Sequence, residues 1–222
     1  MDQVLTRRST RLNLVAAVAF VLGGSLFALG AAFAQLGVVT LPTVNVTYLV
    51  GGCFFTLGGY VSILLADSTD EHRPWWRFRS RPRSWLSAFV LFVGTLFFGV
   101  SLVAAFAEGL TPRQSDGWIW LPDMTGCVCF LVSGHLAMLE VGAGHVRMLT
   151  HLVGWWVVAV NQVGSVLFFL AGIAAFTRPA TSSAIDTGLV NWGTFTGAAC
   201  FAVGGVIQAF DTPTTTRTVV QQ

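Results

Sequence analysis

The sequence predicts an all-α, polytopic membrane protein with six transmembrane helices, and three observations carry that expectation. Hydrophobic residues make up 54% of the 222, charged residues only 10%, and glycine occurs 24 times, a balance too apolar for a water-soluble domain of this length. The charges collect between long runs nearly free of them, and each run is long enough, at about 1.5 Å per residue, to cross a hydrocarbon core of about 30 Å. A short pattern of small residues then recurs through the runs, which points to three parallel two-helix repeats in a pseudo-threefold arrangement.

The spans are expected at Leu12 to Ala34, Val46 to Ala66, Trp85 to Ala107, Ile119 to Glu140, Leu152 to Thr177 and Gly188 to Phe210. All 12 basic residues are arginine, so lysine Schiff-base chemistry is excluded. With the amino terminus inside, Arg7, Arg8, Arg11, Arg73, Arg77, Arg79, Arg81, Arg83, Arg147 and Arg217 share one side, and only Arg113 and Arg178 fall on the other. The positive-inside rule therefore predicts a multi-pass protein of the cell membrane with both termini cytoplasmic. Arg7, Arg8 and Arg11 followed by an apolar run and Ala32-Phe33-Ala34 also fit a secretory signal, but the run exceeds a usual signal core and is expected to stay as the first span. The arginine- and tryptophan-rich linker at 67–84 is the main cytoplasmic loop, with Trp75, Trp76, Phe78 and Trp85 suited to the headgroup layer.

Within a single membrane domain covering 1–222, the repeats are expected at 10–66, 85–140 and 152–210, followed by a flexible tail at 211–222. Gly24-Ser25, Gly94-Thr95 and Gly164-Ser165 lie 70 residues apart on the odd-numbered spans. The even-numbered spans carry Gly51, Phe55, Gly58-Gly59; Gly126, Phe130, Ser133-Gly134; and Gly197, Phe201, Gly204-Gly205. Lipid gives apolar helices no hydrophobic reason to associate, so close approach at small residues has to supply the contact, with the aromatic filling the space beside it. Two spans per unit mean that each copy enters from the same side, related to the next by rotation about the membrane normal.

On these residues each hairpin resembles the YrhK-like domain family, over roughly 10–66, 82–140 and 152–210. The resemblance implies a small membrane unit, here fused in triplicate, with no established activity and no catalytic residues to carry over.

Candidate chemistry is sparse. Cys53, Cys127, Cys129 and Cys200 form no CxxC pair and read as packing residues beside the glycines. His135 is the single histidine well inside a span, where haem ligation would call for a second at matching depth. Asn161 and Gln162 cannot stay unsatisfied in hydrocarbon and form, with His135, a candidate intramembrane polar cluster. Glu140, His145 and His151 surround one cytoplasmic loop at spacings that match no common metal site. Glu108, Asp123, Asn191 and Gln208 lie near span ends, where solvation explains them, and Asp123 is placed to cap the fourth span.

No cofactor, metal or catalytic residue is assigned, and nothing suggests nucleic acid. The partners expected are the lipid bilayer and another membrane protein. The sequence thus reads as a non-enzymatic structural, regulatory or partner-subunit module. The alternative is a small-solute or proton-linked carrier or channel with a cavity on the pseudo-threefold axis, lined by His135, Asn161 and Gln162.

Overall fold

The computed structural model describes residues 2–68 and 82–211. Six helices in it are long and apolar enough to cross a membrane, and the chain is an all-α, polytopic membrane protein. Arg73, Arg77, Arg79 and Arg81, with Trp75, Trp76 and Phe78, lie outside the described residues, as do Arg217 and the rest of the tail from Thr212 to Gln222.

Helix α1 runs Asp2–Leu36 and ends at Gly37, whose φ of +62° suits a residue without a Cβ. After it come α2 (Leu41–Ser68) and α3 (Arg83–Ala104), the latter entered through Pro82. The fourth span begins earlier than the sequence suggests, at α4 (Pro112–Ser115). Thr111 and Gln114 form a capping box there, a π-helical turn follows over Asp116–Trp120, and α5 (Leu121–Val141) continues the run. Pro122 explains the π turn: it lacks an N–H and its ring would crowd the carbonyl one turn back, so the helix widens and Leu121 N–H bonds to the Asp116 carbonyl five residues earlier. Asp123 therefore sits inside a continuous helical run and does not cap it. The last two spans are α6 (Val153–Ala174) and α7 (Thr187–Ala209), the second capped by Asp186 Oδ1, which accepts from Leu189 N–H at 2.9 Å. A short antiparallel pair, β1 (Thr177–Arg178) and β2 (Ser183–Ala184), joins them.

The six spans close into a ring, each packed on the next: α1 on α2, α2 on α3, α3 on α5, α5 on α6, α6 on α7, and α7 back on α1. Outside it, Leu14, Val18, Leu22, Val132, Val163 and Leu170 are exposed, an apolar belt that lipid would cover.

One contact repeats in all three hairpins. In each, a glycine on one helix faces the phenylalanine of its partner, and that partner's glycine faces a phenylalanine in return. A Cβ on Gly94 would lie 2.8 Å from Phe130 Cδ1, and one on Gly126 would lie 2.8 Å from Phe98 Cδ2. In the third hairpin Gly164 meets Phe201 and Gly197 meets Phe168, at 3.2 and 3.1 Å. In the first, however, Gly23 meets Phe55 and Gly51 meets Phe27, at 3.0 and 2.8 Å. The lock thus shifts the first copy's register by one residue: Gly23, not Gly24, is the counterpart of Gly94 and Gly164. A one-residue shift turns a helix by about 100°, and Ser25, placed in the packing set by the letter pattern, faces outward and is exposed. Gly24 still packs, but against α7: its Cβ would stand 2.7 Å from both Ala198 O and Ala202 N.

Two further side-chain placements matter. Trp85, at the start of α3, is buried at 7% exposure and stacked on Phe89 with centroids 5.1 Å apart. Asn191 and Gln208 are not left to solvent. Asn191 Nδ2 donates to Gln35 Oε1 at 3.0 Å, and Gln208 Nε2 donates to Asn13 Oδ1 at 3.0 Å, pinning α7 to α1 near both ends.

Candidate functional site

The phenylalanines that lock the hairpins converge on the ring's interior and form its core in two layers. Phe55, Phe130 and Phe201 from α2, α5 and α7 contact one another pairwise, with centroids 5.5 to 6.3 Å apart. Beneath them, Phe168 meets Phe27 at 6.2 Å and Phe98 at 6.1 Å. Within each hairpin the layers join through Phe27–Phe55, Phe98–Phe130 and Phe168–Phe201, at 5.3, 5.0 and 5.4 Å. The residual void among these rings is about 10 Å³, barely one water. Its one polar wall, Thr95, spends its hydroxyl on Phe92 O at 2.7 Å. Six aromatic rings therefore plug the centre and leave room for no more than about one water.

A cavity lies on either side of the plug. On the side of the chain termini it holds about 400 Å³ and reaches from Phe130 and Phe201 to Asn13, Glu140 and Asp211. Its wall carries a reciprocal serine pair, in which Ser87 Oγ donates to Ser133 O and Ser133 Oγ to Ser87 O, both at 2.9 Å, fastening α3 to α5. At its mouth Asn13 Nδ2 donates to Gln208 O and Asp211 O, each at 3.0 Å. Burial beside this mouth pushes the Asp211 carboxyl above the usual carboxylate range.

The cavity on the far side holds about 250 Å³ and begins at Phe27, Phe98 and Phe168. Asp123, Tyr48 and Trp120 line it. Trp120 Nε1 donates to Gly172 O at 2.8 Å and Asn45 Nδ2 to Ala105 O at 2.9 Å, each joining neighbouring helices. Thr177 N–H donates to Asp116 Oδ1 at 2.9 Å, which ties the β hairpin to the π turn beside the opening.

The candidate polar cluster does not assemble. His135 faces outward and is exposed. Gln162 lies between α5 and α6, its Oε1 against Gly134 and its Nε2 3.5 Å from Leu131 O. Only Asn161 reaches a cavity, on the termini side, with Oδ1 packed on Gly204 and without a hydrogen-bond partner. Helical geometry separates them: Asn161 and Gln162 are adjacent and so point about 100° apart, while His135, next to Gly134, is turned away from α6.

The cysteines stand apart from one another as free thiols. Cys127 Sγ lies 3.4 Å from Phe168 O, Cys129 and Cys200 pack on Gly94 and Gly164, and Cys53 is exposed. Among the described residues no group of three or more His, Cys, Asp and Glu side chains is placed to hold a metal ion. His145 and His151 are exposed, and Glu140 alone of that trio lines a cavity.

Sequence reading missed Asn13 and Tyr48 inside the apolar runs, and Gln35 and Asn45 at their edges, single polar groups whose type was the available signal. It also took Asp123 for an ordinary span end, although its spacing of three, four and seven residues from Gly126, Cys127 and Phe130 puts it on the packed face of α5. No protein-family model, curated protein or solved structure matches the chain.

Proposed function

We propose that the protein is a carrier or channel for a small solute, with its path along the axis of the ring and the six phenylalanines as the closed gate. Two cavities facing each other across an aromatic plug carry this reading. A scaffold has no need of them, since packing alone would close the axis. Hydrophobic constrictions of this kind stop ions and polar solutes by staying unwetted, and open when the rings move apart. Three fused hairpins of YrhK-like type, with the termini and the larger cavity facing the cytoplasm as the arginines suggest, complete the proposal. No reaction is assigned to the polar lining.

Accessibility to thiol reagents tests the reading. In a chain whose four native cysteines are replaced, Ala137→Cys reports the termini-side cavity and Ala105→Cys the far cavity, since each residue lines the one named. A membrane-impermeant maleimide should label the first from one face of the membrane only and the second only from the other. His135→Leu should leave both patterns unchanged, because His135 is outside the path. Failure of both sites to label means the cavities are dry, and a structural or partner-subunit role replaces the carrier.

A further inference from the structure

We infer that the far-side cavity is a binding site for a small organic cation, an alkylammonium, held by the Asp123 carboxylate inside an aromatic cage of Trp120, Tyr48, Phe27, Phe98 and Phe168. The inference rests on the solute-pathway reading and names the class of solute.

An ionisable side chain within a membrane span is costly to place there and calls for a counter-charge or a ligand. Asp123 lines the cavity, with Oδ2 toward Gly172, where an added Cβ would lie 3.5 Å away. No hydrogen bond or ion pair to its carboxyl is found among the described residues, and Arg113 and Arg178, the cationic residues nearest in sequence on that side, are exposed. Among the described residues no counter-charge stands beside it, and a ligand can supply one.

The walls decide which cation. A hard metal ion takes six or more oxygen ligands or keeps its own water; here Asp123 is the one charged group in the lining, and the polar residues around it, Asn45, Ser101, Ser115, Thr177 and Thr194, are neutral. An alkylammonium presents diffuse charge and apolar surface together. Ring faces attract such a charge, most strongly when it is desolvated, and the carboxylate neutralises it. A proton alone would need neither the cage nor a volume of about 250 Å³. Trp120 is held in place by its bond to Gly172 O and by an edge-to-face contact with Phe176 at 5.1 Å, so the cage is formed before the ligand arrives. Trp120 and Asp123, three residues apart at the start of α5, share one helix face and so reach the same cavity.

The test is calorimetric titration of the full-length protein in lipid nanodiscs with tetraethylammonium chloride, against sodium chloride at equal ionic strength. Saturable binding is expected with tetraethylammonium and none with sodium. Asp123→Asn, nearly equal in volume, should weaken it by about ten-fold or more, and Trp120→Leu should weaken it as well. Gel-filtration profile and helicity confirm that each variant is folded, and Glu108→Gln, an exposed carboxylate outside the cavity, should bind as the parent does. Equal binding by Asp123→Asn, or no saturable binding to the parent chain, overturns the inference. The assay requires no transport: binding lost with Asp123→Asn upholds the site even if the cavities never communicate. Transport of another solute by a chain that does not bind the cation would leave the pathway standing and remove this site.

Discussion

Phe130→Ala is expected to turn the closed bundle into a leaky one, with the leak increasing further when Phe98→Ala is added. Phe130 is 2% exposed and packs on Phe55, Phe98 and Phe201, so its ring holds the termini-side layer together and rests on the layer below. Phe130 also borders both the 400 Å³ cavity and the void of about 10 Å³ within the plug, and its loss merges the two. Phe98 is the ring beneath it and borders the far cavity, so the double substitution removes both layers along one line. Water can then wet the constriction, which is the condition for ions to pass. Truncating a buried phenylalanine also costs about 3–5 kcal/mol through lost contacts and the space left behind. The leak has to be read on protein shown to be folded, and Phe130→Leu, which narrows the ring without emptying the site, should give a smaller leak at lower cost. Proton and potassium leak from proteoliposomes, with thermal unfolding measured in parallel, decides the matter. Folded Phe130→Ala/Phe98→Ala protein that is as tight as the parent would show that the rings are core and not gate.

Adding one methyl group at Gly24 is expected to destabilise the bundle more than far larger changes nearby. The Cβ of Gly24→Ala would meet Ala198 O and Ala202 N at 2.7 Å, and both are helix backbone, which cannot swing aside as a side chain can. The α1–α7 contact closes the ring, so the two helices must separate along their length or the ring must distort. Overpacking of this kind costs about 1–3 kcal/mol, and Gly24→Val should exceed it. Two comparisons give the experiment its sign. Ser25→Leu, one residue along, points toward lipid and should be tolerated. Gly99→Ala has nothing within 4 Å of its new Cβ and should raise stability slightly, by the roughly 0.8–1 kcal/mol that separates alanine from glycine in a helix. Thermal unfolding of the four variants and the parent in one detergent should rank Gly99→Ala at or above the parent, Ser25→Leu near it, and Gly24→Ala then Gly24→Val below. A Gly24→Ala protein as stable as the parent would mean that α1 and α7 are not in backbone contact.

Gly24 and Ser25 also mark where sequence reading was strong and where it slipped. The glycine and phenylalanine pattern of the even-numbered spans led straight to Phe55, Phe130 and Phe201 and to the glycines that pack beside them. The odd-numbered spans were aligned on a glycine followed by a small residue at a constant spacing of 70, and in the first span Gly23-Gly24-Ser25 offers two such pairs, of which only Gly24-Ser25 keeps the spacing. Choosing between the two registers needs the partner helix: only Gly23 stands opposite Phe55 with Phe27 four residues on. The same limit applies to His135, Asn161 and Gln162. Depth in the membrane can be counted along a sequence, but the direction in which a side chain leaves its helix depends on how that helix is rotated against its neighbours.

The sequence by itself determined the solvent, the number of spans and the residue types at the helix contacts. These follow from local quantities: apolar run length against bilayer thickness, and the small volume required wherever two backbones touch. The closure of the ring, the gathering of six phenylalanines from six helices into one plug, and the cavities above and below it were decided by the tertiary structure alone. So was the placing of Asp123 beside one of those cavities, which follows from how α5 is rotated against its neighbours. Each depends on the relative rotation of several helices, which no one segment encodes, because a lipid-facing and a core-facing apolar residue look the same until the neighbouring helices are in place.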